Sequence, residues 1–544
     1  MKNRAEILLV FSILALSFFL RLRILDEGAN YHLNDTHRDY LIASRIVRYH
    51  EFPLRGPAGY TKNLLPASPL YFYLTAGALW VNNSIMALGV WQIFADLLFA
   101  TCIYLLARML FGRLTAALAL LFTAFADCFL YLAILPWQHS IVPPSTYFAY
   151  LLFYLSYLTK RAITLGAGVV LFVVSVAISP SGTIAAIPLV GIFLYILWRR
   201  RVFSTKHIIT ACGTGVFVAI IIFIIPYLVR VFQGTVTTDS WAPGQLMTLW
   251  QHASDPGLLP RVWDRTLTFL QFFLPDQTKT QQATIQFFFI SVTAAALYSA
   301  LLSPKRENKQ RLFVLLAGSI LLIIASFFVW SATVFPYYFF VPALGLFVIA
   351  AAHVIAELLK SKKLTAQLFA VVLILLTART FFPSLQELLG ETVLSLQNKQ
   401  LFSPRYHPDP AMGAIAKEIR RIKTDDRKAA YDFFEFKTYF HNPQTDVYTE
   451  YLWDNEHFWI GLEQELNARL VAIDDAQDLG WRPIGPAMKP YLFLVCKLDE
   501  QKERGVNLDR CIAPFLSSYP KYKVTRTIFE DEIHAVHLAR TQSF

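Results

Sequence analysis

Between residues 5 and 383 long apolar runs recur, and beyond residue 384 they stop. This constrains the fold more than any other feature of the sequence. A run of about 20 apolar residues crosses ~30 Å of hydrocarbon as a helix, and a helix satisfies its own backbone there. The runs fall at about 5–24, 86–110, 114–134, 143–158, 163–179, 182–198, 207–230, 283–303, 312–331, 336–358 and 364–383. Those at 143–158 and 163–179 are short, and the pair around Ser179-Pro180-Ser181-Gly182 is alternatively one re-entrant hairpin. The expected fold class is an α-helical polytopic membrane protein of about eleven spans, residues 1–383, with a small α/β domain at 384–544.

Charge supports this division. Only 16% of residues are charged, against about a quarter in a soluble domain. Charges beyond 384 nearly cancel, so the net +11 belongs to the membrane part, and no nucleic acid need be invoked as a partner. The first run follows Lys2 and Arg4, shows no small-residue cleavage site, and reads as a retained signal anchor.

Sidedness follows from the basic loops. With a cytoplasmic N-terminus, Arg108 and Arg113, Lys160 and Arg161, Arg199 to Arg201 with Lys206, Lys305 to Arg311, and Lys360 to Lys363 share one side. The positive-inside rule makes that side cytoplasmic. Arg21 and Arg23 are the exception. The long loops 25–85 and 231–282 and the domain at 384–544 then lie outside. Long outer loops are seldom mere connectors, so any chemistry is expected on that face. The expected location is a plasma (inner) membrane, multi-pass, with an extracytoplasmic C-terminal domain.

Loop 25–85 opens with Asn34-Asp35-Thr36-His37-Arg38-Asp39-Tyr40. Leu41, Ile42, Ile46 and Val47 keep helical spacing opposite Arg38, Arg45 and Arg48, as in a helix lying in the interface. Asp35 and Asp39 share one face of a continuing helix, and Asp35 equally suits an N-cap. A Phe52-Pro53-Leu54-Arg55-Gly56-Pro57 turn and a Ser68-Pro69-Leu70-Tyr71-Phe72-Tyr73 run follow, the latter with tyrosines suited to the headgroup level. Later come Trp137-Gln138-His139-Ser140 with Pro143, and Pro336-Tyr337-Tyr338-Phe339-Phe340 with Pro342.

In their order and topology these motifs resemble the GT-C glycosyltransferases, in particular the family-39 and ArnT-like branch that includes protein O-mannosyltransferases. The resemblance implies an inverting transfer of a sugar from a polyprenyl-phosphate donor to an acceptor on the outer face. An aspartate of the first outer loop would be the base, matching Asp35, nearest the end of span one, or Asp39. The tandem Asp-Glu or Glu-x-Asp usual there is replaced by Asp-x-x-x-Asp. The implied partners are the lipid-phosphate sugar, membrane lipid, and an acceptor protein, lipid or envelope glycan.

The chemistry itself asks for the same groups. A carboxylate removes the proton of the attacking hydroxyl, and cationic groups hold the departing phosphate. Arg38, Arg55, Lys62, Arg230 and Arg379 all fall near the expected outer edge, where arginines also snorkel to headgroups. His139, in the expected outer loop 135–142, and Tyr337 and Tyr338 are candidate substrate contacts. No CxxC, HExxH, P-loop or GxGxxG motif stands in a suitable context, so zinc and nucleotide sites find no support. No metal or other cofactor is assigned, and a divalent ion stays open.

Two rival readings follow from other residues. Asp96 and Asp127, mid-span at similar depth, would either carry protons in a transporter or flippase of a lipid-linked substrate, pair with an arginine, or act as neutral hydrogen-bonded glue. A scaffold with an outer binding domain is the second. Within 384–544, helices are expected at 409–423 and 461–470 and strands near 490–496, 524–529 and 533–538, the last two a hairpin through Glu530-Asp531-Glu532. Cys496 and Cys511, alone in this part, invite a disulfide worth about 3 kcal/mol.

Overall fold

The computed structural model describes residues 2–26, 39–40, 42–44, 46–47, 50, 52–54, 68–82, 85–125, 138–179, 186–232, 318, 341–381, 431–435, 470–472, 491–497, 516, 522–530 and 533–540. The chain divides into two compact units. Met1–Glu27, Gly56–Val231 and Val236–Ser403 form the first; Gly28–Arg55, Phe232–Thr235 and Pro404–Phe544 form the second.

The first unit is a helical bundle. Its described helices are α1 (Lys2–Asp26), α2 (Leu70–Val81), α3 (Ile85–Phe111), α4 (Arg113–Phe125), α5 (Gln138–Thr159), α6 (Ala162–Ile178), α7 (Ile187–Arg199), α8 (Thr205–Ala219), α9 (Ile225–Phe232), α10 (Val341–Lys360) and α11 (Leu364–Phe381). A π-helical turn, Ile220–Ile224, joins α8 to α9, and the π frame lies just ahead of Pro226, which has no N–H to give an α-helical ladder. Arg4–Leu22, Ala87–Phe111 and Thr205–Ile224 are each long and apolar enough to cross a membrane, and several described helices are shorter and apolar. The expected span 283–303 lies outside the described residues, as do 312–331 apart from Gly318 and residues 126–134 of the third.

Small residues allow the helices to approach closely. α3 packs against α1, α4 and α5, α5 against α6, α6 against α8, and α10 against α4 and α11. Ala100 and Ala107 of α3, Ala116 and Ala119 of α4, and Ala352 of α10 are buried at the centre beside Phe99, Ile103, Tyr147 and Ile349. A Cβ on Gly345 would come within 2.5 Å of the Tyr147 ring, and one on Gly215 within 2.6 Å of Val169. Gly112, the single residue between α3 and α4, has φ +99°, and its N–H closes on the Ala107 and Arg108 carbonyls. A glycine takes that conformation without a Cβ clash. Ile7, Phe11 and Phe19 of α1 face outward, as lipid-facing side chains do.

One expectation is corrected here. α5 begins at Gln138, so residues 138–142 are helical and His139 sits in a first turn rather than in a loop. The apolar run opens at Pro143, but Pro143 and Pro144 lie inside the helix, in its second turn, where each removes a backbone hydrogen bond. In the expected interfacial helix, Asp39, Tyr40, Ile42, Ala43, Ser44 and Ile46 are buried, and Arg38, Arg45 and Arg48 lie outside the described residues.

In the second unit the described strands β1 (Tyr431–Glu435), β2 (Leu470–Ala472), β3 (Tyr491–Lys497), β4 (Tyr522–Glu530) and β5 (Ile533–Arg540) form one mixed sheet of order β2-β1-β3-β5-β4. β2, β1 and β3 run parallel, and β3, β5 and β4 antiparallel. β3, β4 and β5 stand where the sequence placed strands, and β4 and β5 form the expected hairpin, with an irregularity between Val524 and Arg526. The helices expected at 409–423 and over 461–469 lie outside the described residues.

Candidate functional site

Along α3, Gln92, Asp96, Tyr104 and Arg108 fall on a four-residue repeat, interrupted by Ala100, and so share one face. α1 runs antiparallel along this face. Its first turns meet the end of α3, where Glu6 accepts from Arg108 Nε at 2.6 Å, from Tyr104 Oη at 2.8 Å and from Arg113 Nε at 2.8 Å. At the other end Leu25 packs on Ile93 and closes over Gly89.

Between these contacts lies Arg21, fully buried. Its Nη2 donates to Asp96 Oδ2 at 2.5 Å. Nη1 donates to the Ala124 carbonyl at 2.8 Å and to the Ser17 hydroxyl and carbonyl. The Thr123 carbonyl lies 3.5 Å from Nη2, and Ser17 Oγ also donates to the Ala124 carbonyl at 3.1 Å. The guanidinium therefore joins three helices. It neutralises Asp96 and donates to two carbonyls of α4. A buried, paired arginine carries no topological signal, so Arg21 does not weigh against the expected sidedness. Asp96 takes the arginine-paired form among the readings of the sequence, and its engaged carboxylate is poorly placed to relay protons. Asp127 lies outside the described residues.

One turn before Asp96, buried Gln92 donates from Nε2 to the Ser140 carbonyl at 3.1 Å. In a regular helix that carbonyl would accept from residue 144, but residue 144 is proline. The glutamine thus supplies the hydrogen bond that Pro144 removes. Nearby, Tyr147 packs edge-on against Phe99 at 5.0 Å and against Tyr150 at 5.4 Å. Toward the other end His353 of α10 stacks on Phe111 at 3.8 Å. The sequence reading singled out neither Glu6 nor Gln92. The four-residue spacing of Gln92 and Asp96 was the signal for the second.

Of the residues chosen from the sequence, Asp39 is buried in the helical segment of the second unit. His139, Arg230 and Arg379 have helical backbones in α5, α9 and α11, and their side chains lie outside what is described. Asp35, Arg38, Arg55, Lys62, Tyr337, Tyr338 and Cys511 also lie outside the described residues. Cys496 occupies β3 opposite His534 of β5. Cys102 and Cys212 are free. Among the described residues no three His, Cys, Asp or Glu side chains come together as a metal site would need.

The sequence matches no protein-family model and no curated protein. Its fold is similar to solved structures. ArnT from Cupriavidus metallidurans bound to undecaprenyl phosphate aligns with a TM-score of 0.54 at 14% identity, over 98% of this chain and 97% of that one. The same protein in the apo state gives 0.51 at 14% identity, over 99% and 98%. An Archaeoglobus fulgidus oligosaccharyltransferase tethered with an acceptor peptide gives 0.47 at 15% identity, over 98% and 74%. The chain thus shares, along nearly its whole length, the fold of ArnT from Cupriavidus metallidurans.

Proposed function

We propose that this protein is an inverting glycosyltransferase that moves a sugar from a polyprenyl-phosphate donor to an acceptor hydroxyl at the outer face of the membrane. The observation that carries this reading is the shared fold, end to end, with a protein whose structure holds undecaprenyl phosphate. The motif order in the first outer loop supports it.

The chemistry assigns the roles. The acceptor oxygen attacks the anomeric carbon as the bond to the phosphate oxygen breaks, and a carboxylate takes the hydroxyl proton. Asp35 or Asp39 is that base. Asp39 is held away from bulk water, a setting in which fixed charges act strongly on a reacting group. Arg38, Arg55, Lys62, Arg230 and Arg379 are the candidates for neutralising the departing polyprenyl phosphate. His139, Tyr337 and Tyr338 are candidates for contacting sugar or acceptor. The N-terminus is cytoplasmic, and the domain at 384–544 lies outside a plasma membrane, where its two cysteines pair.

The test uses purified protein in lipid with a panel of polyprenyl-phosphate sugars, following release of free polyprenyl phosphate. Wild-type release is expected, with Asp35→Asn or Asp39→Asn lowering turnover by about 10²–10⁴-fold. Absence of donor binding and turnover across the panel refutes the transferase reading. Release unchanged in both variants keeps the reaction and removes both residues as the base.

A further inference from the structure

At the start of α1, positive charge gathers around a single carboxylate. Arg108 stands in the last turn of α3, and Arg113 opens α4. Gly112 alone separates these helices, so the chain reverses within one residue and brings both arginines to the same place. Arg108 Nε lies 2.6 Å from Glu6 Oε1, and Arg113 Nε lies 2.8 Å from Glu6 Oε2. Tyr104 Oη donates to the same carboxylate at 2.8 Å. Two guanidiniums against one carboxylate leave the cluster net positive. It is also open, with the side chains of Arg108, Arg113 and Glu6 35%, 46% and 19% exposed. Both arginines reach Glu6 through Nε rather than through the paired Nη groups, the edge that takes a phosphate as a fork.

Depth and surroundings decide which anion suits such a cluster. Glu6 is the third residue of the apolar stretch Arg4–Leu22, and Arg108 is the fourth from the end of Ala87–Phe111. Both stretches are long and apolar enough to cross a membrane, which puts the cluster at the hydrocarbon edge, the depth of phospholipid phosphates. Ile7, Leu8 and Phe11 beside Glu6 are exposed, and so is Leu114 beside Arg113. An exposed cationic pair bordered by exposed apolar side chains matches a molecule with a phosphate above and an acyl chain below. A soluble anion would gain nothing from the apolar half.

We propose that Arg108 and Arg113 form a binding site for the phosphate of an anionic phospholipid, whose acyl chains lie along α1 from Ile7 to Phe11. Glu6 orders the two guanidiniums in the empty site, and the phosphate takes their Nη edges. A headgroup with one net negative charge balances the excess that Glu6 leaves, whereas a zwitterionic headgroup does not. The proposal is independent of the transferase reading.

The test titrates the delipidated full-length protein in mild detergent with phosphatidylglycerol or phosphatidylcholine of identical acyl chains, and counts bound lipid by native mass spectrometry. Wild type is expected to bind phosphatidylglycerol at least about tenfold more tightly. Arg108→Gln/Arg113→Gln is expected to weaken phosphatidylglycerol about 30-fold, the weight of two basic side chains at an anionic headgroup, and to leave phosphatidylcholine unchanged. Glu6→Gln supplies the contrast. It breaks the same ion pairs but removes the competing carboxylate, so phosphatidylglycerol is expected to bind it at least as tightly as wild type. Lys362→Gln/Lys363→Gln takes equal charge from the turn between α10 and α11 and is expected to weaken binding far less. Elution profile and thermal midpoint without lipid serve as the folding control. Should the double arginine variant unfold, Arg113→Lys decides, since it keeps the charge but not the fork; a severalfold loss is expected, and an unchanged affinity overturns the proposal. Equal losses in the arginine and lysine pairs also overturn it, because general charge then suffices. A loss in Glu6→Gln as large as in the arginine pair overturns it too, because the ion pairs then serve only to hold α1 on α3. Displacement of phosphatidylglycerol by millimolar inorganic phosphate would show a soluble-anion site and overturn the lipid assignment.

Discussion

Asp96→Asn is the sharpest test of how this bundle is held. The substitution keeps shape and one acceptor oxygen but strands the Arg21 guanidinium, which cannot shed its proton. Arg21 Nη2 lies 2.5 Å from Asp96 Oδ2, and the two side chains are 0% and 7% exposed. An ion pair at about 4 Å is worth about 4 kcal/mol at the effective dielectric that reproduces measured pairs. The asparagine oxygen recovers about 1 kcal/mol as a neutral hydrogen bond. The expected loss is about 3 kcal/mol, at the lower end of what breaking a buried pair costs. The carbonyls of Ala124 and Thr123 do not substitute for the lost charge, since they already accept from the same guanidinium. The assay is reversible unfolding in mixed micelles for wild type, Asp96→Asn, Arg21→Met and the double variant, closed as a thermodynamic cycle. A coupling energy of about 3 kcal/mol is expected. A coupling near 0.6 kcal/mol, the average for a hydrogen bond between membrane helices, would refute the reasoning, because the pair would then act as an ordinary polar contact.

Three further outcomes follow from the same packing. Gln92→Leu leaves the Ser140 carbonyl without its donor, and a thermal scan should show a loss of about 1–3 kcal/mol. Pro144→Ala in that background should restore part of it, because the alanine supplies the missing N–H; no rescue would sink the account. Gly345→Ala drives a methyl to within 2.5 Å of the Tyr147 ring, which Phe99 and Tyr150 hold in place. It should destabilise by about 1–3 kcal/mol, whereas Gly77→Ala, with open space around it, should stabilise by about 0.5–1 kcal/mol. Mass maps of the intact protein with and without reductant should show Cys496 joined to Cys511, and two free thiols in fresh protein would remove the bond.

The spans were legible wherever an apolar run had clear ends. α1, α3 and α6 begin and end within a few residues of the runs at 5–24, 86–110 and 163–179. The hairpin of β4 and β5 was legible too, since an acidic turn separates two β-prone segments. Pairing at long range was not. Nothing in the local sequence links residue 21 to residue 96, so an arginine that serves as a partner looked like a breach of the charge rule. The start of α5 was misplaced because the apolar run begins only at residue 143, and nothing local shows that Gln92 of another helix offsets Pro144. β1 was missed although Tyr431, Phe433 and Phe434 are good strand formers, and β2 is too short to carry a pattern. Asp39, one of the two candidate bases, was found from motif order and the chemistry of transfer, and nothing in its local sequence announced its burial.

The pairing of α1 with α3 also has a consequence for biogenesis. The ribosome delivers Arg21 to the membrane well before Asp96 is made. At the centre of a helix an isolated arginine costs about 2.5–3.5 kcal/mol on insertion scales. Near the end of α1 it escapes much of that by reaching for the headgroups. The first span therefore enters the bilayer as a provisional anchor, with its arginine turned to the surface. Only when α3 arrives can the guanidinium fold inward, so the newborn chain should remain extractable and protease-sensitive at its first loop until residue 96 has been inserted.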